Sequence, residues 1–124
     1  MDLNIPEVVA EVTEAFLRYQ RAVDDNDVEV MNMLFWNSPF TVRFGPNGTL
    51  IGHDAIAAFR MRPRAPAVPR TLRNTVITTF GRDFAATNTE TTRPGQRVSR
   101  QSQAWIRTPQ GWRIAAAHVS EQPA

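Results

Sequence analysis

The chain has no cysteine, which removes disulfides, thiolate metal sites and cysteine nucleophiles together. Lysine is absent as well, so all 14 of its basic side chains are arginine. That excludes lysine Schiff-base chemistry and any lysine-type phosphate loop. Histidine occurs only at His53 and His118, with no HxH or HxxxH spacing, and no metal site is expected. Gly45-Pro46-Asn47-Gly48 reads as a turn rather than a phosphate cradle, and the serines show no nucleophile-elbow pattern. No cofactor is implied. No apolar run approaches the ~20 residues that a membrane span needs. Met1 to Pro6 carries neither the basic region nor the apolar stretch of a secretory signal. A soluble, cytoplasmic protein with no membrane contact is the expectation.

What is present describes a folded chain. Its 124 residues are one domain's worth, and a single domain over 1–124 is expected. Hydrophobic residues make up 42% and the charges are interspersed rather than blocked, unlike a disordered chain. The Arg60-Met61-Arg62-Pro63-Arg64 cluster lacks a helical stripe or an array of stacking aromatics, and the net charge is only +2. It reads as a loop whose arginines pair with acids of this chain or of a second subunit, and no nucleic acid is expected.

Periodicity gives the element order. Val8/Val9, Val12, Ala15/Phe16, Tyr19 and Val23 recur at steps of three and four, predicting a helix from about 6 to 24. Pro6 suits its first turn, and acids precede arginines along it, which complements the helix dipole. Asp24-Asp25-Asn26-Asp27 offers a cap for a second helix from Val28 to about Phe35. Pro39 to Phe44 reads as a strand, Pro46-Asn47-Gly48 as a hairpin turn and Thr49-Leu50-Ile51 as the return strand. A third helix follows from about His53/Asp54 to Arg60, with Ala55, Ile56 and Phe59 inward, and Met61 to Pro69 is irregular. Stretches rich in Thr, Val, Ile, Phe and Trp then predict four strands in meander order, roughly 71–80, 84–92, 97–107 and 112–121. The fold class is α+β, with helices on one face of an antiparallel sheet.

Arg43 stands in the most apolar segment of the chain, Leu34 to Gly45. A guanidinium buried there needs an anionic partner or a wet cavity. No acid lies between Glu29 and Asp54, so the simplest reading is a pocket that receives a small anion. The alternative is a structural ion pair, with Glu90 or with an acid of a partner subunit.

The order of elements resembles the cone-shaped nuclear-transport-factor-2-like fold, also called SnoaL-like. The stretches Leu34-Phe35-Trp36, Thr41-Val42-Arg43-Phe44-Gly45, Gly52-His53 with Ile56 to Arg60, Arg70-Thr71-Leu72, and Thr78 to Ala85 are more specific. With Arg100 to Trp105 and Gly111 to Ser120, they make the chain similar to the AtzH-like family, whose relatives include a protein of oxalurate catabolism. The resemblance implies a small homodimer, with a pocket between a curved antiparallel sheet and three N-terminal helices. It implies a decarboxylating amidohydrolase acting on 1,3-dicarboxyurea to give allophanate, as in cyanuric acid catabolism. Its catalytic residues would be a tyrosine late in the first helix and an arginine in the first strand, which here are Tyr19 and Arg43.

Other residues are read beside these. Tyr19, the only tyrosine, is either a core residue bonded to a backbone carbonyl or, next to an arginine that favours the phenolate, a proton-transfer group or nucleophile. Arg70 is a second carboxylate clamp or a solvated strand-end residue. Glu90 pairs with an arginine or acts as a base, and Trp36 is a candidate substrate contact. Gln101, Gln103 and Trp105 share a strand face that suits a urea-like ligand or a ladder at a dimer interface. His118, expected on the face of Trp112, Ile114 and Ala116, is a core residue or a further candidate, and His53 a helix cap or surface residue. A non-catalytic carboxylate-binding or accessory protein of an amidase pathway is the rival function. A ketosteroid-isomerase-like enzyme would want an aspartate base on the strands, and none is evident before Asp83.

Overall fold

Val8, Val12, Phe16 and Tyr19 turn one stripe of the helix Pro6–Asp24 (α1) into the core, as the three-and-four spacing predicts. The computed structural model describes residues 1–64 and 68–123; the irregular segment expected over Met61 to Pro69 therefore falls partly outside the described residues. Pro6 opens α1, where its missing N–H costs nothing. Asp27 caps the next helix, Val28–Leu34 (α2), by accepting the Val30 backbone N–H at 3.2 Å.

A hairpin follows, Val42–Gly45 (β1) and Gly48–Ile51 (β2), and then the helix His53–Arg60 (α3). The expected strand start at Pro39 is instead a turn, in which the Phe40 N–H donates to Ser38 Oγ at 3.1 Å. Four long strands complete the chain: Thr71–Phe80 (β3), Phe84–Thr92 (β4), Ser99–Thr108 (β5) and Gly111–Glu121 (β6). They form one curved, open sheet in the order β2-β1-β6-β5-β4-β3. The meander pairs antiparallel throughout, but β1 lies parallel to β6, with Arg43 opposite Ala117, so the expected antiparallel sheet is a mixed one. Parallel partners can be far apart in sequence, which hides this contact from local patterns. Leu3 and Asn4 cover the outer edge of β3: the Asn4 N–H donates to the Thr79 carbonyl at 3.0 Å, and the Thr79 N–H to Asn4 Oδ1 at 2.9 Å.

The core fills the space between the helices and the concave face of the sheet, where Phe16, Phe35, Ile56, Trp105 and Ile114 are all buried. One irregularity decides which residues join them. Ala104 pairs with Ala116 but Trp105 pairs with Ile114, so Ala115 is an extra residue in β6. The alternation of side chains shifts by one there. Trp112 and Ile114 point into the core before the bulge and Ala117 after it, whereas His118 is exposed on the outer face, edge-on to the Phe44 ring at 6.3 Å. His118 thus does not share a face with Trp112 and Ile114. Among the described residues no helix is long and apolar enough to cross a membrane.

Deleting Ala115 would remove the extra residue and leave Ile114, Ala116, Ala117 and His118 opposite Trp105, Ala104, Gln103 and Ser102, so Ala117 stays inward and His118 outward. Stability in urea should therefore change by no more than about 1 kcal/mol. A loss of about 3 kcal/mol or more would show that the bend the bulge puts into β6 is itself needed.

Candidate functional site

Between the concave face and the helices lies a cavity of about 250 Å³. Tyr19 of α1, Arg43 of β1, Arg60 at the end of α3, and Gln101 and Gln103 of β5 all line it. Arg64, Arg70 and Arg93 add three more guanidinium groups, against one acid, Glu121. The structure therefore brings together Tyr19, Arg43, Arg70 and Gln103 of the residues expected from sequence, and adds Arg60.

Arg60 is the most constrained of these. It is 5% exposed, yet among the described residues no carboxylate comes within ion-pair distance. Its guanidinium lies 4.5 Å from the centre of the Phe35 ring, donates to Asn32 Oδ1 at 2.9 Å, and reaches the Tyr19 hydroxyl oxygen at 3.4 Å. Burial pulls its pKa below the usual arginine range, and the Tyr19 phenol opposes that pull. Sequence reasoning missed it, although one signal was there: Ile56 and Arg60 are four apart, so the face that buries one carries the other. The arginine-rich run around it suggested a solvated loop paired with acids, but among the described residues Arg60, Arg62 and Arg64 make no ion pair.

Arg43 faces inward because its partner across the parallel ladder, Ala117, does. The guanidinium approaches the Phe59 ring at 5.7 Å and has no acid within ion-pair distance among the described residues. Gly45, two residues along the same strand, gives it room: a Cβ there would stand 3.0 Å from Arg43 Nη1. Arg70, by contrast, is tied down. Its Nε donates to Asp24 Oδ1 at 2.7 Å, and its Nη2 to the Gln20 carbonyl at 3.2 Å and Gln20 Oε1 at 3.0 Å. It closes the C-terminal end of α1, where a cation complements the helix dipole. It is neither a free clamp nor a solvated strand end.

The remaining candidates lie away from the cavity. Trp105 is fully buried in the core and donates its indole N–H to Thr87 Oγ1 at 2.9 Å. Trp36 borders a second, more open depression with His53 and Arg113. His53 itself contacts the Asn32 carbonyl oxygen through Nε2 at 2.8 Å. Glu90 sits between Arg73 and Arg100, which donate to it at 3.1 and 3.0 Å, and it also accepts from the Asn74 amide at 2.8 Å. These hydrogen bonds, led by Asn74 and then Arg100, hold its carboxyl below the usual carboxylate range. Among the described residues no cluster of three or more His, Asp or Glu could hold a metal ion.

Helices closing an open mixed sheet over a cavity define the nuclear-transport-factor-2-like fold. At that level the chain is 28% identical to a protein of this superfamily from Salmonella enterica serovar Typhimurium, with TM-score 0.72 over 95% of this chain and 93% of that one. The chain belongs to the AtzH-like family, whose model matches residues 1–124. Two crystal structures are much more similar. A protein of unknown function from Pectobacterium atrosepticum shares 50% identity, with TM-score 0.94 over 98% of this chain and 96% of that one. A cystatin-like fold protein from Burkholderia xenovorans shares 46%, with TM-score 0.93 over 100% and 98%. No curated protein matches the chain.

Two outcomes follow from these contacts. A buried arginine without an acid partner adds little to stability, so Arg60→Met should unfold within about 1 kcal/mol of the parent protein in urea. A loss of 3 kcal/mol or more would mean that the guanidinium has a structural ion partner. Glu90 behaves differently. Its depressed pKa contributes stability that is present above the unfolded-state carboxylate pKa and is lost as pH falls through the folded value. Glu90→Gln should therefore be less stable than the parent protein at pH 7 and converge with it in strong acid. A constant gap across the pH series would contradict this.

Proposed function

We propose that the protein is a cofactor-independent decarboxylating amidohydrolase of a small nitrogen-rich carboxylate, with 1,3-dicarboxyurea as substrate and allophanate as product. The observation that carries the reading is the phenol of Tyr19, opening on the same small cavity as Arg43 and 3.4 Å from the buried guanidinium of Arg60. A guanidinium only donates hydrogen bonds, so the Tyr19 oxygen is the acceptor and its proton is left for a ligand. Arg43, which has no acid partner among the described residues, is the fork for a substrate carboxylate.

Dicarboxyurea is a carbamate at both ends. Tyr19 delivers its proton to one carbamate nitrogen, and the bond from that nitrogen to the carboxylate carbon breaks with its electron pair passing to nitrogen. The departing carboxylate becomes carbon dioxide, and the dianion plus one proton becomes the allophanate monoanion. Arg60 stabilises the phenolate formed, until water returns the proton. Membership of the AtzH-like family supports the substrate class. A homodimeric state and a cytoplasmic setting belong to this proposal on the same likeness.

Carbon dioxide and ammonia release, measured beside thermal shift, tests it on 1,3-dicarboxyurea, 1-carboxybiuret, allophanate and oxalurate. Tyr19→Phe should lower turnover of the best substrate at least about 100-fold, the usual worth of a positioned proton donor, without loss of folding. Arg43→Lys should also fail, because a point charge replaces a planar fork. Turnover retained in Tyr19→Phe would sink the proton-donor role. Stabilisation without release, lost in Arg43→Ala, would make the protein a carboxylate-binding accessory protein instead.

A further inference from the structure

Two glutamines on the cavity wall have their amides oriented by the donors behind them. Arg70 has only N–H groups to offer, so the Gln20 atom it meets at 3.0 Å must be the amide oxygen. The Gln20 nitrogen then faces Gln101 at 3.0 Å, and the Gln101 atom receiving it must be oxygen. Its NH2 group is left pointing away, and Gln101 lines the cavity.

The same logic runs through the core from the other side. The Trp105 indole only donates, so Thr87 Oγ1 accepts it at 2.9 Å. Thr87 is 1% exposed, out of reach of water, and its own proton goes to Gln103, 3.1 Å away, which must also present oxygen. Gln103 likewise lines the cavity with its NH2 free, and among the described residues neither NH2 group has a protein partner. Gln101 and Gln103 are two apart on β5, which spaces them about 7 Å, one full repeat of the strand.

We infer that Gln101 and Gln103 are specificity-determining residues: their NH2 groups, locked facing the cavity, select ligands that present acceptor oxygens at two points and reject those that present an amide there. The neutral wall so reads the far end of a ligand whose near end is held by Arg43. This deepens the proposal of a small-carboxylate substrate and rests on it. It also explains why the strand that forms the cavity wall carries amides: an NH2 group donates without adding a further charge beside Arg43 and Arg60.

The test compares glutarate with glutaramate, which differ only by replacement of one carboxylate oxygen with NH2, by calorimetric titration of the intact protein. The parent protein should bind glutarate more tightly. Gln103→Met and Gln101→Met should each shrink that preference about tenfold, the worth of one hydrogen bond to a charged acceptor. Charge attraction is unchanged in these variants because the arginines are intact, so the change in ratio isolates the amides. Thr87→Val, which frees the Gln103 amide to turn, should shrink it as well while leaving Gln103 in place. Circular dichroism checks that each variant folds, and each of the three reports independently. A preference that is the same in all the variants as in the parent protein would overturn the inference and leave the carboxylate reading standing. If the parent protein binds neither compound, both fall together.

Discussion

A guanidinium at the end of α3 is carried into the core by the same helix face that buries Ile56, and it cannot give up its charge to suit that place. With no carboxylate beside it among the described residues, it must be satisfied by weaker means: the face of Phe35, the amide oxygen of Asn32 and the phenol oxygen of Tyr19. Much of the cavity follows from that. Tyr19 is used as an acceptor, which frees its proton, and the surroundings of the cavity stay positive. An anion entering it finds a charge already stripped of water, and the interaction is stronger than it would be at the surface.

The arginines that pair with acids lie mostly away from the cavity. Away from the cavity several are matched: Arg73 and Arg100 share Glu90, Arg107 meets both Glu11 and Asp83, and Arg82 meets Glu7. On the cavity wall, among the described residues, only Arg70 has an acid, Asp24, and that pair anchors a strand to a helix end. Exposed pairs of the first kind contribute little each. The unmatched charges within are a cost to folding, which makes sense only if something other than folding uses them.

The legibility of this arrangement in the sequence was uneven, for identifiable reasons. The helices and strands showed through because long apolar periodicities and strong turns announce them, and the pocket position of Arg43 was visible from its apolar flanks. The face of His118 was not. The bulge falls within Ala115-Ala116-Ala117, and three identical small side chains give no alternation in which a slip of one could be seen. Arg60 was hidden differently. It stands at the head of an arginine-rich, proline-broken run whose composition suggests solvent, although its helical spacing from Ile56 pointed inward. Gln20 is buried on the apolar face of α1, and its purpose appears only once Arg70 and Gln101 are brought beside it across the fold. Glu90 read as an arginine partner or a base and Trp105 as part of a ligand-facing strand, and neighbouring strands supply the partners of both.

The parallel ladder between β1 and β6 has a bearing on how the molecule is born. Arg43 takes its inward direction from a register shared with Ala117, and the segments carrying these two residues are separated by nearly every other element of the fold. During synthesis, α1, the first hairpin and α3 are made long before anything exists to hold Arg43 in place. The pocket cannot exist even in outline until β6 has left the ribosome and slid between β1 and β5. Until then the chain carries several unmatched positive groups and an open sheet edge, so its vulnerable interval lasts until β6 is in place.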